Sequence, residues 1–128
     1  MTQPTTDPTA ESVVRDFCAA WSRRDVDELL GWFHPDAVYH NMPLPPAEGL
    51  DAIRGVLEMF VPMAEEIVFE VHHVASTGSV VFTERTDHFT TDGTTVSLPV
   101  TGVFELRDGR IAAWRDYFDL QQFLGRSG

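Results

Sequence analysis

The chain has 128 residues, 43% of them hydrophobic and 11% aromatic, which suffices for one domain around one core and not for two. Its 20 acidic against 9 basic residues give a formal net charge of -11, and such a surface repels phosphate backbones and anionic headgroups, so nucleic-acid and membrane partners are not expected. No apolar stretch approaches the roughly 20 residues of a membrane span, and Met1-Thr2-Gln3-Pro4 lacks the charged and apolar regions of a signal peptide, so a cytoplasmic location is expected.

Residues Met1 to Thr6 are polar and contain a proline, and they read as a disordered lead-in to a single domain over 7–128. Asp7-Pro8 offers an N-cap followed by proline at the first helical position, which predicts a helix to about Arg24. Its inward stripe is Val13, Phe17 and Trp21 with Val14 and Cys18. Cys18 is the only cysteine, so it forms no intrachain disulfide, and its place in the stripe marks a small core residue rather than a nucleophile.

Asp25 with Glu28 three residues on resembles a capping box, and Leu29, Leu30, Trp32 and Phe33 follow, predicting a second short helix that ends near Pro35. A short extended piece, Ala37 to Asn41, then runs into Met42-Pro43-Leu44-Pro45-Pro46, where the prolines forbid helix and favour a stiff loop. Leu50, Ile53, Leu57 and Phe60 recur at helical intervals and predict a third helix from Leu50 to about Phe60.

The hydrophobic period then changes to two. Ile67, Phe69 and Val71 alternate with Val68, Glu70 and His72, and three more strands follow at about Val80 to Phe89, Val96 to Leu106 and Ile111 to Asp119. Asp92-Gly93 and Asp108-Gly109 between them supply the positive backbone dihedrals of tight hairpins. Helices first and an antiparallel meander second is an α+β order, with the helices covering one face of a curved sheet.

Alternate strand residues share a face, so the inward side can be traced by parity. Val96, Leu98, Val100, Gly102, Phe104 and Leu106 fall on one face, beside Val81, Thr83, Arg85, Asp87 and Phe89 on one neighbour and Trp114, Asp116 and Phe118 on the other. Burying an ionised group costs several kcal/mol unless it is paired, and a guanidinium from Arg85 bridging Asp87 and Asp116 would supply that pairing. Two carboxyls so linked titrate as a unit, which lets an ionised base and a protonated acid coexist near neutral pH. Spacing alone also allows a solvated ion pair between Arg85 and Asp87. Arg115 and Asp119, on the opposite parity, read as structural or exposed, and Tyr39 and Asn41, two apart, share a face and could hold a water.

His34, His40, His72, His73 and His88 make no metal motif, and His72 and His73 point to opposite faces if their segment is a strand. Serine-histidine nucleophile patterns and glycine-rich phosphate loops do not occur.

At these residues the sequence resembles a known family. Tyr39-His40-Asn41-Met42-Pro43-Leu44-Pro45-Pro46, Glu84-Arg85-Thr86-Asp87, Gly102-Val103-Phe104-Glu105-Leu106 and Trp114-Arg115-Asp116-Tyr117-Phe118-Asp119 are similar in order and spacing to limonene-1,2-epoxide hydrolase, within the larger nuclear-transport-factor-2-like and SnoaL-like group. The match covers roughly Trp32 to Phe123. The resemblance implies a cone-shaped curved mixed sheet wrapped by about three N-terminal helices, a homodimer, a deep pocket between helices and sheet, and no cofactor or metal. It also implies roles: Asp116 as the base that activates water, Tyr39 and Asn41 as its helpers, Asp87 as the acid toward an epoxide oxygen, and Arg85 as the bridge. The hairpin around Asp92-Gly93 is slightly shorter than in the family, which touches the rim.

The expected substrate is a small apolar epoxide, with Leu57, Phe60, Phe89, Leu98, Val100, Phe118 and Phe123 as candidate pocket walls, although plain core packing demands the same residue types. Two other readings fit the fold: a ketosteroid-isomerase-like or polyketide-cyclase-like enzyme, and a non-catalytic module that binds an apolar ligand.

Overall fold

Thr9, rather than Asp7, caps the first helix: its side chain accepts a hydrogen bond from the Ser12 N–H at 3.0 Å and α1 runs Ala10–Ala20. The computed structural model describes residues 9–124, so the lead-in Met1–Thr6 and Asp7-Pro8 lie outside the described residues. A 3-10 turn, Trp21–Arg23, follows α1 and closes on Arg24 in the left-handed region at φ 52°. Asp25 then caps α2, Val26–Leu30, as expected from the capping box.

The second helix does not extend to Pro35. It ends at Gly31, and the chain is already extended in β1, Phe33–Asn41. The register of β1 against its neighbour shifts between Phe33 and Val38, so Pro35, which has no N–H to give, falls in the irregular stretch. A two-residue β2, Ala47–Glu48, pairs back onto Val38 and Tyr39 after the proline loop, and α3 spans Leu50–Phe60.

The meander comprises β3 (Glu66–Thr77), β4 (Val80–Thr91), β5 (Thr94–Arg107) and β6 (Arg110–Tyr117), followed by a four-residue α4, Leu120–Phe123. Asp92 and Gly93 adopt φ 52° and 77°, and Asp108 and Gly109 adopt φ 55° and 76°, the paired positive values of the hairpin turns expected there. All six strands form one mixed sheet in the order β2-β1-β6-β5-β4-β3, in which only β1 and β6 run parallel.

The helices lie against the inward parity of this sheet, α1 over β3 and β4 and α3 over β1 and β2. Val14, Phe17, Cys18, Leu29, Phe33, Ile53, Leu57, Phe104, Ile111 and Trp114 are buried in one continuous core. Burial pushes the Cys18 thiol up to about 12, which fits a packing residue and not a nucleophile.

One parity expectation fails. A bulge between Val71 and His73 inserts a residue into β3, so His72 and His73 reach the same outer face: His72 Nε2 lies 2.8 Å from Thr86 Oγ1 and His73 Nε2 lies 3.8 Å from Glu84.

Candidate active site

Four polar or charged side chains lie inside the sheet face, Thr83, Arg85, Asp87 and Asp116, at 1–4% exposure. The ladder explains their meeting. Thr83 stands opposite Gly102 on β5, and Gly102 stands opposite Asp116 on β6, so the three strands bring the charges across a glycine. A Cβ at Gly102 would lie 2.5 Å from Arg85 Nη1 and 2.6 Å from Asp116 Oδ1, hence only hydrogen fits between them.

Arg85 spends every N–H it has. Nε and Nη2 donate to the two oxygens of Asp87 at 3.0 and 2.8 Å, Nη1 and Nη2 donate to the two oxygens of Asp116 at 3.2 and 2.8 Å, and Nη1 also donates to Thr83 Oγ1 at 3.2 Å. The guanidinium lies 4.9 Å from the Phe69 ring centre and about 6 Å from those of Phe104 and Trp114, within reach of their negative faces. Burial pulls the Arg85 pKa down, but the Asp116 and Asp87 charges outweigh it, so the group stays well above its ordinary value and remains a cation. This is a buried clasp, not a solvated surface pair.

The two carboxyls are not equivalent. Burial raises Asp87 from 3.8 to about 6, against the lowering effect of the Arg85 charge and hydrogen bonds, with the Asp116 charge adding to the rise. Asp116 accepts a further hydrogen bond from Trp114 Nε1 at 2.6 Å. Burial and the Asp116 charge also raise the Tyr39 phenol, so it stays a neutral donor.

Tyr39 and Asn41 reach the same place through the parallel pair, where Tyr39 stands opposite Trp114 and Asn41 opposite Asp116. The Tyr39 ring stacks flat on Trp114 at 4.2 Å and 8°, which fixes its hydroxyl. A small chamber of about 30 Å³, room for about a water or two, is lined by both of these residues, by Asp87 and Asp116, and by Phe60, Phe89, Leu98, Val100, Phe118 and Phe123. It abuts an outer apolar groove of about 430 Å³ lined by Met59, Met63, Val96 and Leu124, and Phe60, Phe89 and Phe123 border both spaces.

One expected wall residue is elsewhere. Leu57 points into the core and does not line the chamber, because it lies on the face of α3 packed against β1 and β2, while Phe60, three residues on, reaches the cavity. Two wall residues escaped the sequence reading, Trp21 and Phe69, since helical and strand periodicity assign both to the interior without separating core from cavity. Arg115 pairs with Glu105 at 2.7 Å and Asp119 caps α4 by accepting from the Gln121 and Gln122 N–H groups. Neither lines the chamber.

A cone of mixed sheet closed by helices, holding an arginine-bridged pair of aspartates beside a phenol and an amide in an apolar chamber, defines a protein of the nuclear-transport-factor-2-like fold with a buried polar site. The family model described as the limonene-1,2-epoxide hydrolase catalytic domain matches residues 8–127, and the chain belongs to that family. It is 37% identical over 112 residues to the epoxide hydrolase EphG of Mycobacterium tuberculosis, covering 84% of this chain and 71% of that relative. The structure of a limonene-epoxide-hydrolase-like epoxide hydrolase of M. tuberculosis superposes with a TM-score of 0.75 at 33% identity, over 91% of this chain and 86% of the other. A SnoaL-like polyketide cyclase structure from Shewanella putrefaciens reaches a TM-score of 0.82 over 94% of this chain and 96% of the other, but at 19% identity it shares the fold alone.

Proposed function

We propose that this epoxide hydrolase converts a small apolar epoxide to a vicinal diol in one step, without a covalent enzyme ester. Asp116, Tyr39 and Asn41 hold a water in the chamber. As the water oxygen attacks a ring carbon, Asp116 accepts its proton, the C–O bond breaks with its electron pair on oxygen, and Asp87 gives that oxygen a proton. Asp116 then holds a proton taken from water and Asp87 has given its own to the diol, and exchange with solvent restores the starting state. Arg85 holds both carboxyls through the exchange and offsets whichever is charged.

The observation that carries this reading is the Arg85 clasp, with two buried carboxyls on one cation and the Asp87 proton held to about pH 6. A base and an acid side by side is what ring opening needs, and the scheme requires no metal. A panel of cyclic and aryl-substituted epoxides in oxygen-labelled water tests it. Diol carrying the label in the first turnover is expected; no turnover on any member, or label passing through a protein carboxylate, rejects the chemistry.

The active form in this reading is a homodimer, as the family resemblance implies. The exposed apolar side chains Val68, Phe82 and Tyr117 on the outer sheet face support it. Sedimentation equilibrium is expected to give twice the 14.4 kDa of one chain, and a monomer at assay concentration would reject this part.

A further inference from the structure

Among the described residues, one buried side-chain polar atom finds no protein partner, Nε1 of Trp21. The residue is 2% exposed, and it lines the chamber together with Tyr39, Asn41, Asp87 and Asp116. A buried indole N–H ordinarily meets an acceptor, because leaving it unmade costs stability. The ring cannot readily turn to find one. It stacks on Phe69 at 4.7 Å and 18° and meets the edges of Trp114 at 5.8 Å and Phe17 at 6.1 Å.

Its position also has a side. Phe69 stands opposite Asp87 in the β3–β4 ladder, so the indole stacked on Phe69 lies beside the strand pair that carries Asp87, with Trp114 at its edge. The water-holding groups Tyr39 and Asn41 stand on β1, across β6 and β5 from that pair.

We infer that the Trp21 indole N–H is a second hydrogen-bond donor to the ring oxygen of the substrate, acting beside Asp87. This rests on the reaction proposed above. An epoxide oxygen is a modest acceptor, but negative charge collects on it as the C–O bond stretches, and a fixed donor in a dry site gains most at that moment. The indole does not titrate in the working range, so it adds stabilisation without competing for the proton that Asp87 delivers. Its contribution falls on the chemical step and not on binding.

Trp21→Phe removes the N–H and keeps an aromatic ring on Phe69. It is expected to lower kcat about tenfold or more with KM changed by less than about threefold, and to leave the alkaline limb set by Asp87 where it was. A merely structural role would instead disturb the clasp and shift that limb. A second measurement does not depend on turnover. The chain has three tryptophans, so its indole proton NMR signals are few, and the Trp21→Phe spectrum assigns the one of interest. Hexanamide, whose carbonyl oxygen can accept, is expected to shift the Trp21 signal downfield, whereas hexane is not. The inference is overturned if Trp21→Phe turns over within about twofold of the parent, or if hexanamide moves the indole signal no more than hexane does. If the parent opens no epoxide at all, the reaction above fails on its own account and the indole measurement still decides whether Trp21 donates to a bound oxygen.

Discussion

Asp87 carries a raised pKa for a reason that predicts its own pH dependence. Burial favours its neutral form, so in the proposed reaction the acid for ring opening is present below about pH 6 and lost above it. We expect kcat/KM on a reactive epoxide to fall about tenfold per pH unit on that alkaline side, a limb that belongs to the pair of carboxyls together. The same shift acts on stability: the folded chain holds this proton more tightly than the unfolded chain, whose value is 3.8, so the contribution is complete below 3.8 and fades as pH rises through 6. Asp87→Asn and Asp116→Asn should each lower kcat by at least about 100-fold while the melting transition persists, and near-parental turnover in either would remove that residue from the chemistry. Gly102 gives a steric test. Gly102→Ala drives a methyl into the clasp, and we expect a loss of about 1–3 kcal/mol in chemical denaturation together with a collapse of kcat. At this scale the sequence was most readable where charge breaks an apolar parity, as with Arg85, Asp87 and Asp116. It was least readable where cavity and core use the same residues, so Leu57 was expected in the wall, while Trp21, inward in the core stripe as expected, was not seen to line the chamber as well.

Elements whose hydrophobic period ran unbroken were legible, namely α1, α3, β4 and β5, together with the two Asp-Gly turns. The irregular ones were not. In β3 the bulge after Val71 ends the clean alternation and the strand continues through exposed His73, Ala75 and Ser76, so only its first half could be seen. In β1 the apolar run Leu29 to Phe33 suits a helix as well as a strand, and Gly31 ends the helix first. The C-terminal α4 is too short to leave a period, and Asp119 serves as its cap rather than as the last residue of a strand. This small element borders both the chamber and the outer groove through Phe123. Phe123 packs edge-on against Phe60 at 5.3 Å and Phe89 at 6.3 Å, and the three rings lie between chamber and outer groove. Phe123→Ala should merge the two spaces and raise kcat/KM for bulky epoxides by roughly tenfold relative to small ones. Equal effects on both would remove Phe123 from the selection of substrate.

On the scale of the molecule, an acidic chain surrounds an interior whose fixed charges also sum to an excess of one carboxylate when both aspartates ionise. Burial does most to retain a proton on Asp87, and this excess adds to it. The largest part of the architecture that periodicity could not supply is strand order, because nothing local in Phe33–Asn41 says that it lies between β2 and β6. The parallel ladder between β1 and β6 therefore brings residues far apart in the chain into one chamber. Tyr39 and Asn41 come from the first strand and Asp116 from the last, so no contiguous fragment short of nearly the whole fold contains the proposed centre. The phenol and amide of the early strand meet Asp116 only through pairing with the final hairpin. The chamber is thus a property of the closed sheet and not of either half.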